Sequence, residues 1–468
     1  MTAKALILAA GAGTRMKSDK PKVVHEVLGK PLVRWVVDAA HDAGIEDVVT
    51  VLGHMSEKVA PFVEGDTKIA IQTQQLGTGD AVNAGREAFT QADGSIAEGS
   101  LVVLSGDCPL ITPETIQALI AKREETGAAV VVLTMHMDDP FGYGRIVREG
   151  EAVVRIVEQK DANEQEAAIT ECNSGFYCFD APALFDALSR VSNDNAQGEY
   201  YLTDVLEICR NDGREVLALQ TADAEEAMGV NSRVQLAQAT HAMQHRINNR
   251  HMMAGVTMWD PESTFIGPDV EIAQDVELWP QTYLLGTTKV GSHSVIGPNT
   301  RLTDTQVGCG ARVDETVAIE ARIDDAAECG PRAYLRPGTH LCEGAKAGTH
   351  VEIKKSTIGK GSKVPHLSYI GDTTMGENVN IGAGSITCNY DGVNKNHTEI
   401  GDNVFVGSDT MMVAPVNIGA GAIIGASSCI TRDVAPDALA LERADQREIE
   451  GWAAKHMAKL KAKKEAAK

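Results

Sequence analysis

The pattern of apolar and polar residues has two different periods along this 468-residue chain. In the first 230 residues, short apolar runs alternate with longer segments of helical character. The apolar runs predict strands at residues 5–9, 47–52, 68–71, 100–104 and 128–134. The segments between them predict helices, among them residues 31–43, 79–88 and 113–125. Such alternation indicates a largely parallel, doubly wound sheet, with ligands at the carboxyl ends of its strands.

Residues 232–253 predict one long helix, with apolar contacts from Val234, Ala237, Met243 and Ile247. The helix divides the chain into an N-terminal domain of residues 1–230, a linker of residues 231–253 and a C-terminal domain of residues 254–468.

In the C-terminal domain the apolar period becomes six. Apolar residues occupy every sixth position in two ladders: Ile266, Ile272, Leu278, Leu284, Val290, Ile296 and Leu302, then Ile400, Val406, Met412, Ile418, Ile424 and Ile430. A helix repeats every 3.6 residues and a strand every two, so neither explains this period. Six-residue repeats are typical of a parallel β-helix whose coils have three short faces. We therefore predict a hexapeptide β-helix in which each coil is buried by its neighbours.

The six-residue period breaks in two places. Residues 387–398 are polar and predict a loop extruded from one coil. A smaller slip lies between Leu302 and Leu335, after which the spacing resumes in a shifted phase. Loops that leave a rigid scaffold commonly carry function.

Composition narrows the classes of protein that the chain can belong to. The formal net charge of −22 argues against general nucleic-acid binding. Nine cysteines without a C-x-x-C pair favour neither a disulfide framework nor a zinc site, and no apolar run reaches the length of a membrane span. We expect a cytoplasmic protein. Six lysines between Lys455 and Lys468 predict a solvated or frayed basic tail.

The loop after the first predicted strand is the strongest candidate for chemistry. It reads Leu-Ile-Leu-Ala-Ala-Gly-Ala-Gly-Thr-Arg-Met from Leu6 to Met16, and Pro21-Lys22 follows. Glycines let backbone N–H groups approach a phosphate, and Arg15 and Lys22 add positive charge where pyrophosphate would leave. The loop is neither a Rossmann fingerprint nor a Walker A loop. The alternative is an ordinary glycine-rich turn between strand and helix.

Further polar residues follow other predicted strands. Asp107 follows the strand predicted at residues 100–104. It would hold Mg²⁺ between phosphates, or else it begins a turn before Pro109. Asn231 would complete the metal site, or else caps the helix that follows it. Gln72 and the loop Leu76-Gly77-Thr78-Gly79 would contact phosphate or base. Gly144, Glu158 and Asn173 would line a sugar pocket, whose hydroxyls call for amide and carboxylate partners.

Over nearly its whole length the chain resembles the bifunctional N-acetylglucosamine-1-phosphate uridylyltransferase and glucosamine-1-phosphate acetyltransferase family. The glycine-rich loop carries the resemblance in the first domain, and Pro-His-Leu-Ser-Tyr-Ile-Gly-Asp at 365–372 carries it in the second. The family makes UDP-N-acetylglucosamine for cell-wall and lipopolysaccharide synthesis. The resemblance implies an α/β Rossmann-like nucleotidyltransferase domain with a mostly parallel sheet, followed by a left-handed parallel β-helix. Ala12 replaces a longer, often charged residue of the family, so one phosphate contact is absent.

The resemblance also implies roles for residues of the first domain, with Mg²⁺ as cofactor and UTP and N-acetylglucosamine 1-phosphate as substrates. Arg15 and Lys22 would steady the triphosphate during in-line attack, and Asp107 and Asn231 would bind the metal. Residues that would contact UTP or the UDP-sugar are Leu8, Ala9, Ala10, Gly11, Lys22, Gln72, Gly77, Thr78, Gly144, Glu158, Asn173 and Asn231.

In the second domain the resemblance implies acetyl transfer from acetyl-CoA to glucosamine 1-phosphate. His366 would be the general base. The sugar phosphate would be held by Arg336, Lys354, Tyr369 and Asn380. Acetyl-CoA would be bound by Ala383, Asn389, Tyr390, Ser408, Ala426 and Arg443, with backbone N–H groups near Ser408 stabilising the oxyanion.

Two alternatives remain open. One is a single-function nucleotidylyltransferase acting on glucose or mannose 1-phosphate, whose β-helix is regulatory. The other is a β-helix that serves only as an assembly module, since such helices commonly associate as trimers through flat faces. We expect a homotrimer, with neither nucleic acid nor membrane as a partner.

Overall fold

The computed structural model describes residues 3–467. These residues divide into two compact units: residues 3–253 with Phe265–Asp269, and Ala254–Thr264 with residues 270–467. Within residues 3–467, no helix has both the length and the apolarity that crossing a membrane requires.

The N-terminal unit alternates strands and helices. Its strands are β1 (Lys4–Ala9), β2 (Glu26–Val27), β3 (Lys30–Pro31), β4 (Asp47–Leu52), β5 (Lys68–Ile71), β6 (Ser100–Ser105), β7 (Val130–His136), β8 (Arg145–Glu149), β9 (Ala152–Val157), β10 (Glu171–Asp180) and β11 (Val216–Gln220). Its α-helices are α1 (Leu32–Asp42), α2 (Ser56–Val59), α3 (Thr78–Ala84), α4 (Pro113–Thr126), α5 (Glu164–Ala167), α6 (Ala181–Leu188), α7 (Asp204–Asn211) and α8 (Arg233–Met253). Short 3-10 helices lie at Thr14–Met16, Lys22–Val24, Ala60–Phe62, Arg86–Phe89 and Ala224–Ala227.

The main sheet has the strand order β11-β7-β10-β6-β1-β4-β5, and β8 pairs with β10 and β9. All neighbours in the main order are parallel except β10, which runs antiparallel to β6 and β7. Alternate side chains of β1 enter different cores: Ala5 and Ile7 pack on one side of the sheet and Leu6 on the other. A sheet covered on both faces requires such continuous apolar strands.

The helix α8 forms where the sequence predicts it, but its buried face is different. Met243 and Ile247 are buried as expected, whereas Val234 is 69% exposed and Ala237 is exposed as well. The predicted contacts of Val234 and Ala237 are therefore wrong. The buried face lies further along the helix, where His251 also belongs to it.

The C-terminal unit consists of short parallel strands stacked in three sheets, which we call faces 1, 2 and 3. Face 1 contains Thr257–Met258, Glu277–Leu278, Val295–Ile296, Arg312–Val313, Glu328–Cys329, Lys346–Thr349, Lys363–His366, Asn380–Ile381, Phe405–Val406, Ile423–Ile424 and Leu439–Ala440. Face 2 contains Tyr283–Leu285, Arg301–Thr303, Val317–Ile319, Tyr334–Leu335, Glu352–Lys354, Tyr369–Gly371, Ile386–Cys388, Met411–Val413 and Cys429–Ile430. Face 3 contains Glu271–Ile272, Lys289–Val290, Gln306–Val307, Arg322–Ile323, His340–Leu341, Thr357–Ile358, Thr373–Met375, Thr398–Ile400 and Val416–Ile418. A 3-10 helix lies at Pro261–Ser263, and the short strand Phe265–Ile266 belongs to the first unit.

The side chains of the six-residue ladder point into the coils. Nearly all are buried, and Ile272 in an early coil is partly exposed. The slip after Leu302 has a simple geometric cause: the step to the next inward residue, Val307, is five residues instead of six. A similar short step separates Ile353 from Ile358. The β-helix therefore accepts coils of unequal length while its parallel register continues.

Hydroxyl groups at the coil corners link successive coils. The Oγ of Ser294 donates to the carbonyl oxygen of Gly308 at 2.8 Å and accepts from the N–H of Ala311 at 3.1 Å. Buried hydroxyls that pair in this way avoid the cost of unsatisfied polar groups. Serine and threonine at these corners therefore hold one coil on the next.

The predicted loop and tail both exist, with different bounds and conformation. Thr387 and Cys388 still belong to a strand and Thr398 begins the next, so the extruded loop spans residues 389–397. The basic tail is exposed as predicted, but it forms a helix, α9 (Trp452–Ala466), and is not frayed. Lys468 lies outside the described residues.

Candidate active sites

The glycine-rich loop brings the backbone close to Lys22. Gly13 has a φ of +60°, and a Cβ there would lie 2.5 Å from the Cβ of Lys22. Only glycine fits this approach, so the loop curls over the Lys22 segment. Arg15 follows in the 3-10 helix Thr14–Met16 and is exposed.

The Lys22 ammonium is held between two oxygens from distant parts of the chain. It pairs with Oδ2 of Asp107, and it donates to Oδ1 of Asn231 at 2.9 Å. Asp107 follows the end of β6, and its carbonyl oxygen accepts from the N–H of Val230 at 2.9 Å. That backbone bond places Asn231 beside the carboxyl end of the strand.

The alternative in which Asn231 caps the following helix is wrong. The Oγ of Ser232 accepts from the N–H of Gln235 at 3.3 Å, which makes Ser232 the capping residue of α8. The Asn231 amide is thereby left to face Lys22.

A cavity of about 320 Å³ opens at the carboxyl ends of β1 and β6. It brings together most of the predicted nucleotide-binding residues: Leu8, Ala9, Ala10, Gly11, Lys22, Gln72, Gly77, Thr78 and Asp107. It also includes residues to which the sequence assigned no role: Val23, Gln75, Ala81, Ser105 and Glu199.

Gln72 and Gln75 both bind backbone in the cavity wall. Buried Gln72 donates to the carbonyl oxygen of Gly77 at 3.2 Å and to Oδ2 of Asp80 at 2.8 Å. Gln75 donates to the carbonyl oxygen of Ala10 at 2.8 Å, which fixes the glycine-rich loop. Its position just before the Leu76-Gly77-Thr78-Gly79 loop is the sequence signal for this contact.

Gly77 is required by its surroundings. Its φ is +119°, and a Cβ would lie 2.5 Å from the carbonyl oxygen of Tyr200. The N–H of Gly79 donates to that same oxygen at 2.8 Å. The start of α3 is thereby fixed against the segment before α7.

The three predicted sugar-binding residues lie together. A Cβ on Gly144 would be 3.4 Å from the Cβ of Asn173 and 3.6 Å from Oε1 of Glu158. The N–H of Asn173 donates to the carbonyl oxygen of Gly144 at 2.9 Å, and its side-chain amide donates to the hydroxyl of Tyr177 at 2.7 Å.

Glu158 sits in an acidic environment. Burial raises the pKa of its carboxyl group, and the carboxylates of Asp161 and Asp204 raise it further. A hydrogen bond from Thr203 Oγ1 at 3.4 Å opposes this rise. A carboxyl group held in this way can accept hydrogen bonds from hydroxyl groups.

In the C-terminal unit, His366 heads a column of residues at the end of face 1. The N–H of Gly384 donates to the carbonyl oxygen of His366 at 3.3 Å, which places Ala383 one coil above it. The strand register then places Ser408 and Ala426 in the next two coils. His366, Ser408 and Ala426 are exposed, so the column is open to solvent.

The predicted acetyl-CoA residues follow this column. Arg443 donates to the carbonyl oxygen of Ala426 at 3.1 Å. Tyr390 projects from the extruded loop, is 56% exposed, and carries the ammonium of Lys395 over its ring at 3.9 Å. The structure thus assembles His366, Ala383, Ser408, Ala426 and Arg443 along one edge of the β-helix.

Arg336 and Lys354, which are predicted to bind the phosphate, lie on face 2. Arg336 and Lys354 follow inward residues that pair in adjacent coils, so both cations lie in one column. Arg336 donates to Oε1 of Glu352 at 2.8 Å, and this hydrogen bond raises the pKa of the guanidinium. Lys354 lies 3.5 Å from Oδ2 of Asp372.

Asp372 links Lys354 to Asn389, which is predicted to bind acetyl-CoA, and through it to Tyr369, which is predicted to hold the sugar phosphate. The amide of Asn389 donates to Oδ2 of Asp372 at 2.5 Å and to the hydroxyl of Tyr369 at 3.4 Å. Asn389 is only 4% exposed, so its amide faces this network. Asp372 belongs to the motif at 365–372, but the sequence predicts no role for it. Asn380 lies beside Lys363 on face 1.

Comparison with known proteins decides the family. The model of the MobA-like NTP transferase domain matches residues 5–207, and that of the bacterial transferase hexapeptide (six repeats) matches residues 397–432. A protein of Streptomyces avermitilis named bifunctional protein GlmU is 49% identical over 97% of this chain and 94% of that protein. Proteins of the same name from Streptomyces coelicolor and Syntrophomonas wolfei are 51% and 48% identical, over 97% and 96% of this chain and 94% and 99% of those proteins. The chain belongs to the bifunctional GlmU family.

Membership of the GlmU family confirms the fold and the two activities that the sequence predicts. The N-terminal unit is a nucleotidyltransferase domain, and the C-terminal unit is a hexapeptide acetyltransferase domain consistent with a left-handed β-helix. The roles of individual residues remain predictions.

Proposed function

We propose that the C-terminal site acetylates glucosamine 1-phosphate with acetyl-CoA, and that the N-terminal site then joins the product to UTP. The observation that carries the proposal is the column headed by His366. A β-helix that only regulated or assembled a nucleotidylyltransferase would not need an exposed histidine below Ala383 and Ser408, one face away from Arg336 and Lys354. Membership of the GlmU family supports the same reading.

In the N-terminal site, Lys22 and Arg15 steady the triphosphate of UTP. The sugar phosphate attacks the α-phosphorus in line, a new P–O bond forms, and the bond to the departing pyrophosphate breaks. Such a reaction needs positioning and charge neutralisation more than it needs a protein nucleophile. Backbone N–H groups of residues 8–11 and the amide of Gln72 orient the nucleotide, while Gly144, Glu158 and Asn173 hold the sugar.

Asp107 and Asn231 fit a magnesium ion. Their oxygens converge on one cation, the Lys22 ammonium, and carboxylate and amide oxygens are ligands that Mg²⁺ accepts. Mg²⁺ held by these two residues would neutralise phosphate charge. With the ion between Asp107 and Asn231, the Lys22 ammonium would be available to the phosphates.

In the C-terminal site, the imidazole of His366 removes a proton from the ammonium of glucosamine 1-phosphate. The free amine attacks the thioester carbon, a C–N bond forms, and the C–S bond of acetyl-CoA breaks to release the thiol. A histidine suits this step because its imidazole takes up and releases protons near neutral pH. Backbone N–H groups near Ser408 stabilise the oxyanion, and Arg336 and Lys354 bind the phosphate.

The proposal includes a homotrimer located in the cytoplasm. Phe405, Ile423 and Leu439 stack in successive coils of face 1 and are each about half exposed or more, which leaves an apolar strip on the surface. Exposed apolar strips favour association. All nine cysteines are free, in keeping with a reducing compartment. Light scattering should give three times the 49.8 kDa chain mass, and a value near one chain mass would refute the trimer.

The test of function follows free thiol and pyrophosphate together in a mixture of Mg²⁺, UTP, acetyl-CoA and glucosamine 1-phosphate. We expect both products, with pyrophosphate falling sharply when acetyl-CoA is omitted. His366→Ala should lower thiol release by about 10²- to 10⁴-fold and leave pyrophosphate release from N-acetylglucosamine 1-phosphate intact. His293→Ala is the matched control, because His293 is an exposed histidine of an early coil. Pyrophosphate release that needs no acetyl-CoA, without thiol release, would refute the acetyltransferase.

A further inference from the structure

One column of residues on face 3 has small side chains in every coil except two. It comprises the residue that follows the inward residue in each successive coil: Ala273, Gly291, Gly308, Asp324, Cys342, Gly359, Gly376, Gly401 and Gly419. The glycines are needed because the coils approach closely here. A Cβ on Gly359, for example, would lie 2.1 Å from the carbonyl oxygen of Gly376.

The two exceptions are neighbours, and a histidine joins them. Asp324 and Cys342 lie in adjacent coils, and His340 stands two residues before Cys342 on the same face. The Nε2 of His340 is 2.7 Å from Oδ2 of Asp324 and 3.9 Å from Sγ of Cys342. All three ligand atoms lie within 4.8 Å of one another.

We propose that Asp324, His340 and Cys342 form a binding site for a divalent transition-metal ion, of which Zn²⁺ fits best. Carboxylate oxygen, imidazole nitrogen and thiolate sulfur are the ligands that zinc takes in proteins. With metal–ligand distances of about 2.0–2.3 Å, tetrahedral ligands stand roughly 3–4 Å apart, close to the spacing of these atoms. The side chains of Asp324 and His340 are 24% and 30% exposed, so an ion can enter and water can fill the fourth position.

A neighbouring arginine orients one of the ligands. Arg322 donates from Nε to Oδ1 of Asp324 at 2.7 Å, which orients the carboxylate and leaves Oδ2 for the ion. Zinc binds cysteine as the thiolate, so binding the ion releases the Cys342 thiol proton to solvent.

The ion would act as a cross-link between coils. Asp324 belongs to one coil, and His340 and Cys342 belong to the next, so one bound ion ties two coils together. In a solenoid each coil is stabilised mainly by its neighbours. A cross-link in the middle of the stack therefore opposes the unfolding of coils from either end.

Titration of the full chain with Co²⁺ tests the proposal, because a thiolate bound to cobalt gives a charge-transfer band that oxygen ligands do not. We expect that band at one equivalent, with Zn²⁺ displacing the Co²⁺. Cys342→Ser should abolish the band and lower Zn²⁺ affinity by about tenfold or more, and Asp324→Asn should weaken affinity similarly. Zn²⁺ should raise the melting temperature of the parent chain but not that of Cys342→Ser.

Two other cysteines provide matched controls. Cys309 is an exposed thiol one coil before Asp324, and Cys108 is a buried thiol beside Asp107. Cys309→Ser and Cys108→Ser should each retain the cobalt band. A band that is absent from the parent chain, that survives in Cys342→Ser, or that is lost in either control would overturn the assignment.

Discussion

Replacing Asp204 by asparagine should make the N-terminal unit more stable at neutral pH. Asp204 begins α7, and its carboxyl group lies among other acids. Burial, together with the negative charges of Glu207 and Asp161, raises the pKa of Asp204 from 3.8 to about 6. Keeping this carboxylate ionised above pH 6 therefore costs folding free energy.

The magnitude follows from the size of that rise. At about 1.4 kcal/mol per pKa unit, a pKa of about 6 in place of 3.8 corresponds to roughly 3 kcal/mol. Because the side chain is partly exposed and solvent screens its charge, we expect Asp204→Asn to recover about 1–2 kcal/mol. Asparagine keeps the shape of the side chain and stays neutral.

The sign of the pH dependence is fixed by which state binds more protons. Between about pH 4 and pH 6 the folded state holds the Asp204 proton more tightly than the unfolded state, so this group's contribution to stability falls as pH rises. Asp204→Asn should therefore be neutral near pH 3.5 and stabilising above pH 6.5.

Urea unfolding of the full chain, with hydrogen exchange of the β6 peptide reporting on the N-terminal unit, measures the difference. Asp194→Asn removes an equal charge from an exposed position and should change stability by less than about 0.5 kcal/mol. An equal gain at pH 3.5 and pH 7.5, or a loss at pH 7.5, would refute the reasoning.

Three further substitutions should each affect one of the two units and leave the other unchanged. Lys22→Met leaves Asp107 without its partner cation and should lower the turnover of uridylyl transfer about 10²-fold, while thiol release from acetyl-CoA stays unchanged; equal loss of both would contradict the assignment. Gly77→Ala forces a Cβ to 2.5 Å from the carbonyl oxygen of Tyr200 at a φ of +119°, so unfolding of the N-terminal unit should require about 1–3 kcal/mol less, as urea titration would show. Ile353→Ala empties a fully buried position of the β-helix and should cost about 2–5 kcal/mol, so that heat inactivates acetyl transfer before uridylyl transfer.

The fold could be predicted because each unit repeats one pattern. Strand boundaries in the first half were found to within about two residues, since apolar runs such as residues 47–52 have no other stable place than the centre of a parallel sheet. The β-helix was evident from its period alone. The five-residue step from Leu302 to Val307 could not be foreseen, because it depends on how a corner closes against the next coil.

The candidate sites were predictable where they follow a strand end and less so where they depend on distant contacts. Asp107 lies two residues after the end of β6, so its place at the sheet edge was predictable. The role of Asn231 depends on its meeting Lys22, more than two hundred residues away, and the local sequence equally favoured a helix cap. Val234 was misplaced for a related reason: helical spacing shows which residues share a face, but not where along the helix the neighbouring element begins.

The two sites also differ in the contacts that position their residues, so we expect their activities to respond differently to destabilising substitutions. Lys22, Asp107 and Asn231 come from three separate segments that meet only when the first unit is folded, so we expect any change that loosens those segments to weaken phosphate binding. His366 and Ser408 are set by the register of adjacent coils, and a rigid ladder keeps their spacing even when side chains change. We therefore expect acetyl transfer to tolerate substitutions around its site up to the point at which the coil stack opens, and uridylyl transfer to decline gradually. A series of mild destabilising variants in each unit, assayed for both activities at increasing temperature, would separate these two responses.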